Sequence, residues 1–169
     1  MASPKNRPPL STDPTDRVGV YKRLEDVPDR YRLQNHQSAY KNRDVWGDFF
    51  EKKKTEAFDT NSTRDRYEKA GRYLKDFLSD IRCHHALLTP EYVEDFLIAL
   101  RDGDVGRHSH TRNIQTVYFE YFQPVESFYT WLEWHTEYPH VYHPVRMAAI
   151  EGGYTREVWN RKLKQNDKR

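Results

Sequence analysis

Three apolar stripes at helical spacing, between Ser62 and His135, constrain this chain more than any other feature. The first holds Tyr67, Ala70, Leu74, Phe77, Leu78 and Ile81. Steps of three and four residues put these on one side of a helix over residues 62–82. Ser62 followed by Asp65 resembles a capping box with Asp in place of Glu. The second stripe starts at Thr89-Pro90, a cap followed by a first-turn proline. It buries Val93, Phe96, Leu97 and Leu100, exposes Glu91, Glu94 and Asp95, and ends in the turn from Asp102 to Gly106. The third covers residues 111–135 and presents a wide face of Ile114, Val117, Tyr118, Tyr121, Phe122, Val125, Phe128, Tyr129 and Leu132. Pro124 lies inside it and is expected to kink it, because proline removes one ladder bond and crowds the preceding turn.

Shorter helices complete the pattern. Asp44 caps one over residues 44–56, with Val45, Trp46, Phe49 and Phe50 on one face and Lys52-Lys53-Lys54 near its C-terminus. Another spans residues 145–151 and stops at Gly152-Gly153; the last is capped by Thr155 and runs to about residue 163. No strand pattern competes, so the expected class is all-α, a small helical bundle. Residues 1–34, punctuated by Pro4, Pro8, Pro9, Pro14 and Pro28, read as a flexible N-terminal arm. Residues 35–60 read as a helix and linker, 61–142 as the central unit, and 143–169 as C-terminal helices and tail.

Composition limits what such a bundle does. Apolar residues are 36% of the chain but aromatics are 14%, so rings must build the core. A net charge of +2 does not identify a nucleic-acid binder; only the placement of the charges does. A single cysteine, Cys83, excludes a disulfide framework and a multi-cysteine zinc site. With no apolar run of membrane-spanning length and no signal-peptide core in the first residues, the expectation is a soluble, cytoplasmic chain without a cofactor.

Three motifs carry a family likeness: Leu74 to Leu78 (LKDFL), Leu88 to Leu100 (LTPEYVEDFLIAL) and Val125 to Leu132 (VESFYTWL). In this order the chain resembles the N-terminal core-binding (SAM-like) domain of tyrosine recombinases of the Xer and phage-integrase type. The resemblance covers about residues 21 to 163. DVPDRYRL at Asp26 to Leu33 and the later HPVRMAAIEGG look like archaeal-type members. It departs from the family in having His143-Pro144 where Asn-Pro is usual, and in lacking the catalytic domain that follows in the family. His143-Pro144-Val145-Arg146 spells His-x-x-Arg, but it sits at a proline-marked linker with no preceding catalytic arginine domain, and reads as coincidence. The resemblance therefore implies a module that binds double-stranded DNA at recombination sites without cutting it. A full-length recombinase, or a second copy on DNA, is the further partner it implies.

Two basic clusters are the candidate DNA contacts. Arg64, Arg72, Lys75 and Arg82 lie beside the first apolar stripe, interrupted by Glu68, and suit the phosphates of one strand. Arg107, His108, His110, Arg112, Asn113 and Gln115 gather at the start of the third helix, where free N–H groups favour phosphate and Asn or Gln suits adenine edges. The aromatic ladder from Tyr118 to Trp134 reads as core. Cys83, His84, His85, His135, His140 and His143 lack clear zinc-pair spacing and read as polar loop residues, with no metal. A different class of function, an accessory that associates with a full recombinase, would use Val158, Trp159 and Leu163 on the last helix as a docking edge.

Overall fold

The computed structural model describes residues 21–106, 110–135 and 137–167, with side chains to residue 162. Every regular element among them is helical, so the chain is an all-α bundle. Three 3-10 turns lead to α1 (Gln37–Tyr40), followed by α2 (Val45–Glu56), α3 (Asn61–Ser79) and α4 (Pro90–Asp102). Then come α5 (Ile114–Thr116), a π-helical segment (Val117–Phe122) and α6 (Gln123–Trp134), which together form one continuous rod. α7 (Pro144–Glu151) and α8 (Gly153–Asp167) close the fold against α4.

The caps explain the boundaries. The Asp44 carboxylate accepts from the Gly47 N–H at 2.9 Å, and the Thr89 hydroxyl accepts from the Tyr92 N–H at 3.2 Å. α3 starts earlier than its Ser62 signal suggests, because the Thr60 hydroxyl accepts from the Thr63 N–H at 3.1 Å. It also ends earlier, at Ser79 rather than Arg82, which takes a left-handed φ of 61° just beyond it. α8 begins at Gly153 instead of Thr155, and its cap comes from another helix. The Glu94 carboxylate accepts from the N–H groups of Tyr154 and Thr155 at 3.1 and 2.9 Å, and from the Thr155 hydroxyl at 3.1 Å. Gly153 is required there: with φ at 66°, a Cβ would stand 1.8 Å from the Glu94 oxygen.

Pro124 does not end the third helix. The turn before it is π-helical, so the wider spacing admits a ring that would crowd an α-turn, and the missing N–H falls where the ladder is already changing register.

One continuous core runs from Val27 to Trp159. It joins the sections that the sequence divides at residues 34, 60 and 142, and it corrects the arm. Val27 and Leu33 are buried, and the Leu33 N–H donates to the Tyr142 hydroxyl at 3.0 Å. Residues 1–20 of the expected arm lie outside the described residues. Trp46 joins this core, with its ring 4.8 Å from Phe128 and 5.3 Å from Phe49. It lies directly on α3 at Gly71, where a Cβ would come within 2.2 Å of the indole nitrogen. Most of the aromatic ladder is core as expected, with Tyr121, Phe122, Phe128 and Tyr129 fully buried, but Phe119 and the last ring, Trp134, are exposed.

A buried charge cluster holds α6, α7 and α8 together. Glu126 accepts from Lys162 Nζ at 2.8 Å and lies 3.6 Å from Arg146 Nε. Paired burial of this kind matters mainly through the large cost of removing one partner.

Candidate nucleic-acid interface

The ten candidate contact residues have different fates in the fold. Arg107 and His108 lie outside the described residues. Arg112 is a correction: it is only 6% exposed and points inward. Its Nη1 donates to the carbonyls of Leu100 at 3.1 Å and His110 at 3.2 Å, and its guanidinium lies against the rings of Tyr73 and Tyr121. The reason is the end of α4, whose orphan carbonyls need donors; the Arg112 side chain takes Leu100 and its N–H takes Arg101 at 3.0 Å.

Asn113 and Gln115 are exposed but engaged. Asn113 caps α5 by accepting from the Thr116 N–H at 2.9 Å, and Gln115 accepts from Arg161 at 2.6 Å. His110 is exposed. Among the described candidates at the start of the third helix, only Arg112 turns inward, and Asn113 and Gln115 are committed to contacts within the fold.

The α3 cluster divides as well. Arg64 turns back on its own helix start, donating to the Phe58 carbonyl and the Asn61 side chain at 3.3 Å each. Arg72 is exposed, 4.0 Å from Glu68. Lys75 and Arg82 come together with Arg43, which the sequence patterning missed. All three line a hollow of about 250 Å³ between the 42–43 turn and the C-terminal end of α3, floored by Leu78, Ser79, Cys83, His84 and His85. No carboxylate lines it.

Arg43 and Arg82 are exposed and have no ion-pair partner among the described residues. Lys75 is half-buried and meets Asp44 behind the hollow at 2.6 Å. Asp44, although burial opposes its charge most strongly, is held below the usual carboxylate range by Lys75 and the Gly47 N–H. The turns that raise the two arginines both use left-handed backbone, φ 64° at Asn42 and 61° at Arg82. No signal in the sequence marks Arg43, since it lies between helices and joins the others only through the packing of α2 on α3.

Histidines build the floor. His84 and His85 stack at 4.1 Å. The Ala86 N–H donates to His84 Nδ1 at 3.0 Å, so His84 Nε2 carries the proton and donates to the Arg43 carbonyl at 2.8 Å. The Trp46 N–H donates to His85 Nε2 at 3.0 Å. Burial pushes both imidazoles down, His85 to about 3, with Lys75 adding to the effect. The fully buried Tyr129 fixes the loop beneath them, donating to the His85 carbonyl at 2.8 Å and accepting from the Leu88 N–H at 2.9 Å.

Two other histidines expected in polar loops are buried instead. His140 packs among the rings of Tyr40, Tyr129 and Tyr138, and burial brings it to about 3. His143 caps α7 by accepting from the Arg146 N–H at 3.3 Å, with Nε2 near Thr130 and the Glu126 carbonyl. The His-x-x-Arg string thus closes a helix and a buried ion pair. Among the described residues no three His, Cys, Asp or Glu side chains converge to hold a metal. No helix among them is long and apolar enough to cross a membrane.

The expected docking edge on α8 is also corrected: Val158 and Trp159 are fully buried in the chain's own core, and the Leu163 side chain lies outside the described residues. Comparison with family models, curated proteins and solved structures gives no match.

Proposed function

We propose that this chain is a duplex-DNA-binding module that grips the phosphate backbone through the Arg43–Lys75–Arg82 hollow and cleaves no strand. The observation that carries the reading is the pair of exposed arginines, without ion-pair partners among the described residues, on either side of a lysine in a hollow with no carboxylate. Two arginines without ion pairs beside a lysine already paired with Asp44 offer sites for phosphates, and a polyanion that occupies them gives up its condensed counterions. Such contacts set position on DNA without reading bases. Exposed Arg72, farther back on α3, extends the same edge.

The likeness of LKDFL, LTPEYVEDFLIAL and VESFYTWL to the recombinase core-binding domain supports a role at recombination sites. That His143 and Arg146 serve helix capping and a buried ion pair supports a non-catalytic role. The test is an anisotropy titration of a labelled duplex at several salt concentrations. Three engaged cations should give a log–log slope of roughly −2 to −3, at about −0.9 per phosphate. An affinity indifferent to salt would overturn the reading.

A second reading, association with a full-length recombinase, has one observation in its favour. Trp134, at the end of α6, is 81% exposed, unusual for a side chain that normally seeks cover. Light scattering of the Trp134→Ala variant with a recombinase partner separates the two readings, since the basic hollow would be unaffected.

A further inference from the structure

We infer that His84 and His85 are a neutral-only latch for the basic hollow, so that anion binding weakens on acidification. This rests on the proposed use of the hollow for phosphate and adds its regulation. Intuition gives the opposite sign, since protonating two histidines beside Arg43 and Lys75 adds positive charge and should tighten a polyanion.

Geometry decides between the two signs. One wall of the hollow is the stretch from residue 41 to 46, which carries Arg43; the other is the end of α3 and the loop after it, which carries Lys75 and Arg82. Besides the ion pair of Asp44 with Lys75, two hydrogen bonds tie the walls together: Trp46 N–H to His85 Nε2, and His84 Nε2–H to the Arg43 carbonyl. A third, from the Ala86 N–H to His84 Nδ1, sets the His84 ring and its tautomer. Two of the three need an imidazole nitrogen as acceptor. A proton on either nitrogen replaces an attraction with two facing N–H groups in a buried site, at the cost of an unsatisfied donor. The bond that survives protonation, His84 to Arg43, cannot hold the wall once its ring is misplaced. Arg43 then leaves the hollow, and the loss of one of three cations outweighs a charge gained on a ring already engaged below the floor.

The surroundings leave the histidines as the groups that couple the latch to acid: closed, His85 holds off its proton to about 3 and His84 is pushed down, so between pH 7.5 and 5 the proton enters with opening and favours the open form. Facing them are Tyr40, Arg43 and Asp44 from the first wall, Lys75 from α3, and Arg82 and Cys83 from their own loop. Burial pushes Tyr40 up to about 12 and Cys83 up to about 11, so both stay neutral, while Asp44 is held low and stays anionic. Arginine and lysine keep their charge throughout this range.

Two measurements test the latch on the intact chain. The first is amide exchange at Trp46 and Ala86, corrected for intrinsic rate and compared with Leu97 in the core of α4. Protection at Trp46 and Ala86 should drop at least tenfold from pH 7.5 to 5 while Leu97 stays more protected. Equal retention at all three would overturn the latch, and this readout holds whether or not DNA binds. The second is duplex affinity at the two pH values. Wild type should bind at least fivefold more weakly at pH 5, and His84→Gln/His85→Gln, whose side-chain oxygens accept without titrating, should bring the ratio between the two pH values close to one. Tighter wild-type binding at pH 5 would overturn the latch. No binding at either pH, with the exchange change present, would reject the DNA reading and leave the latch standing.

Discussion

Two hollows lie at opposite ends of the loop between α3 and α4, and they treat charge in opposite ways. At its start, Arg43, Lys75 and Arg82 surround a space that no carboxylate lines. At its end, Glu91, Glu94, Asp95 and Glu151 surround a space beside the α7–α8 joint that no cation lines. In the acidic hollow the key charge has a structural task, because Glu94 supplies the cap that starts α8. In the basic hollow Arg82 and Arg43 have no ion pair among the described residues, although Arg43 lies over the rings of Tyr40 and Tyr138. In a chain of nearly balanced charge, the charges left without ion pairs are where binding function is to be sought. The contrast also gives the protein a polarity, since a polyanion drawn to one hollow is repelled by the other.

The largest expected effect breaks the acidic side. Gly153→Ala forces a Cβ onto Glu94 and strains a left-handed residue, and should cost about 3 kcal/mol in a urea unfolding curve with an unchanged slope. Glu94→Ala should cost a similar amount, and the double variant clearly less than the sum, because both lose the same cap. Additive losses would mean that the Glu94 charge is not committed to α8.

Acid should separate the hollows next. Unfolded histidines bind a proton below about 6.5, whereas folded His85 and His140 hold off to about 3 and burial also pushes His143 well down. The unfolded state therefore takes up more protons between these limits, and this stability is present above pH 6.5 and lost as pH falls. At pH 5 each histidine loses roughly 2 kcal/mol, one pKa unit being worth about 1.4 kcal/mol. Glu133 works the other way: burial pushes it to about 7, so the folded state binds its proton first and offsets about one histidine. A net loss of roughly 3 kcal/mol between pH 7 and 5, read from urea midpoints, is expected. In the acidic hollow Glu151 is raised, by burial first and then by Glu25, Glu91 and Glu94, so acid relaxes that side while it strains the other. A flat profile from pH 7 to 5 would contradict the burial of these imidazoles.

Smaller effects sharpen the contrast in binding. Arg43→Ala and Arg82→Ala should each weaken duplex binding about fivefold and reduce the salt slope by about one. Glu91→Gln, in the acidic hollow, should not weaken it. The smallest and most diagnostic change is Arg82→Gly. Glycine fits φ 61° without strain, so the fold should gain about 0.5–1 kcal/mol while DNA affinity falls. A loss of stability instead would mean that the Arg82 side chain supports the fold.

The fold was more legible in the sequence than the interface. The stripes of α3 and α4, the Asp44 and Thr89 caps and the inward rings follow from local periodicity, which a linear reading captures. Arg112 shows the limit. An arginine in a run of His, Arg and Asn looks like surface, and only the position of the α4 C-terminus reveals that carbonyls need its donors. Arg43 and the His84–His85 pair were obscured for the same reason, since their roles depend on contacts across 31 to 41 positions of chain. His140 and His143 looked like loop residues because their burial comes from rings and helices elsewhere in the chain.

The π segment has a consequence for how the rod is assembled. One residue more than an α-turn allows is held between Val117 and Phe122, and each residue turns a helix by about 100°. Upstream of it α5 faces α8, the segment itself meets α3, α4 and α8, and downstream α6 faces α2, α3 and α7. The segment thus acts as a swivel, letting one rod dock onto two sets of neighbours in different directions. A chain shortened by a single residue there would keep every ring and still aim all of α6 at the wrong side of the bundle.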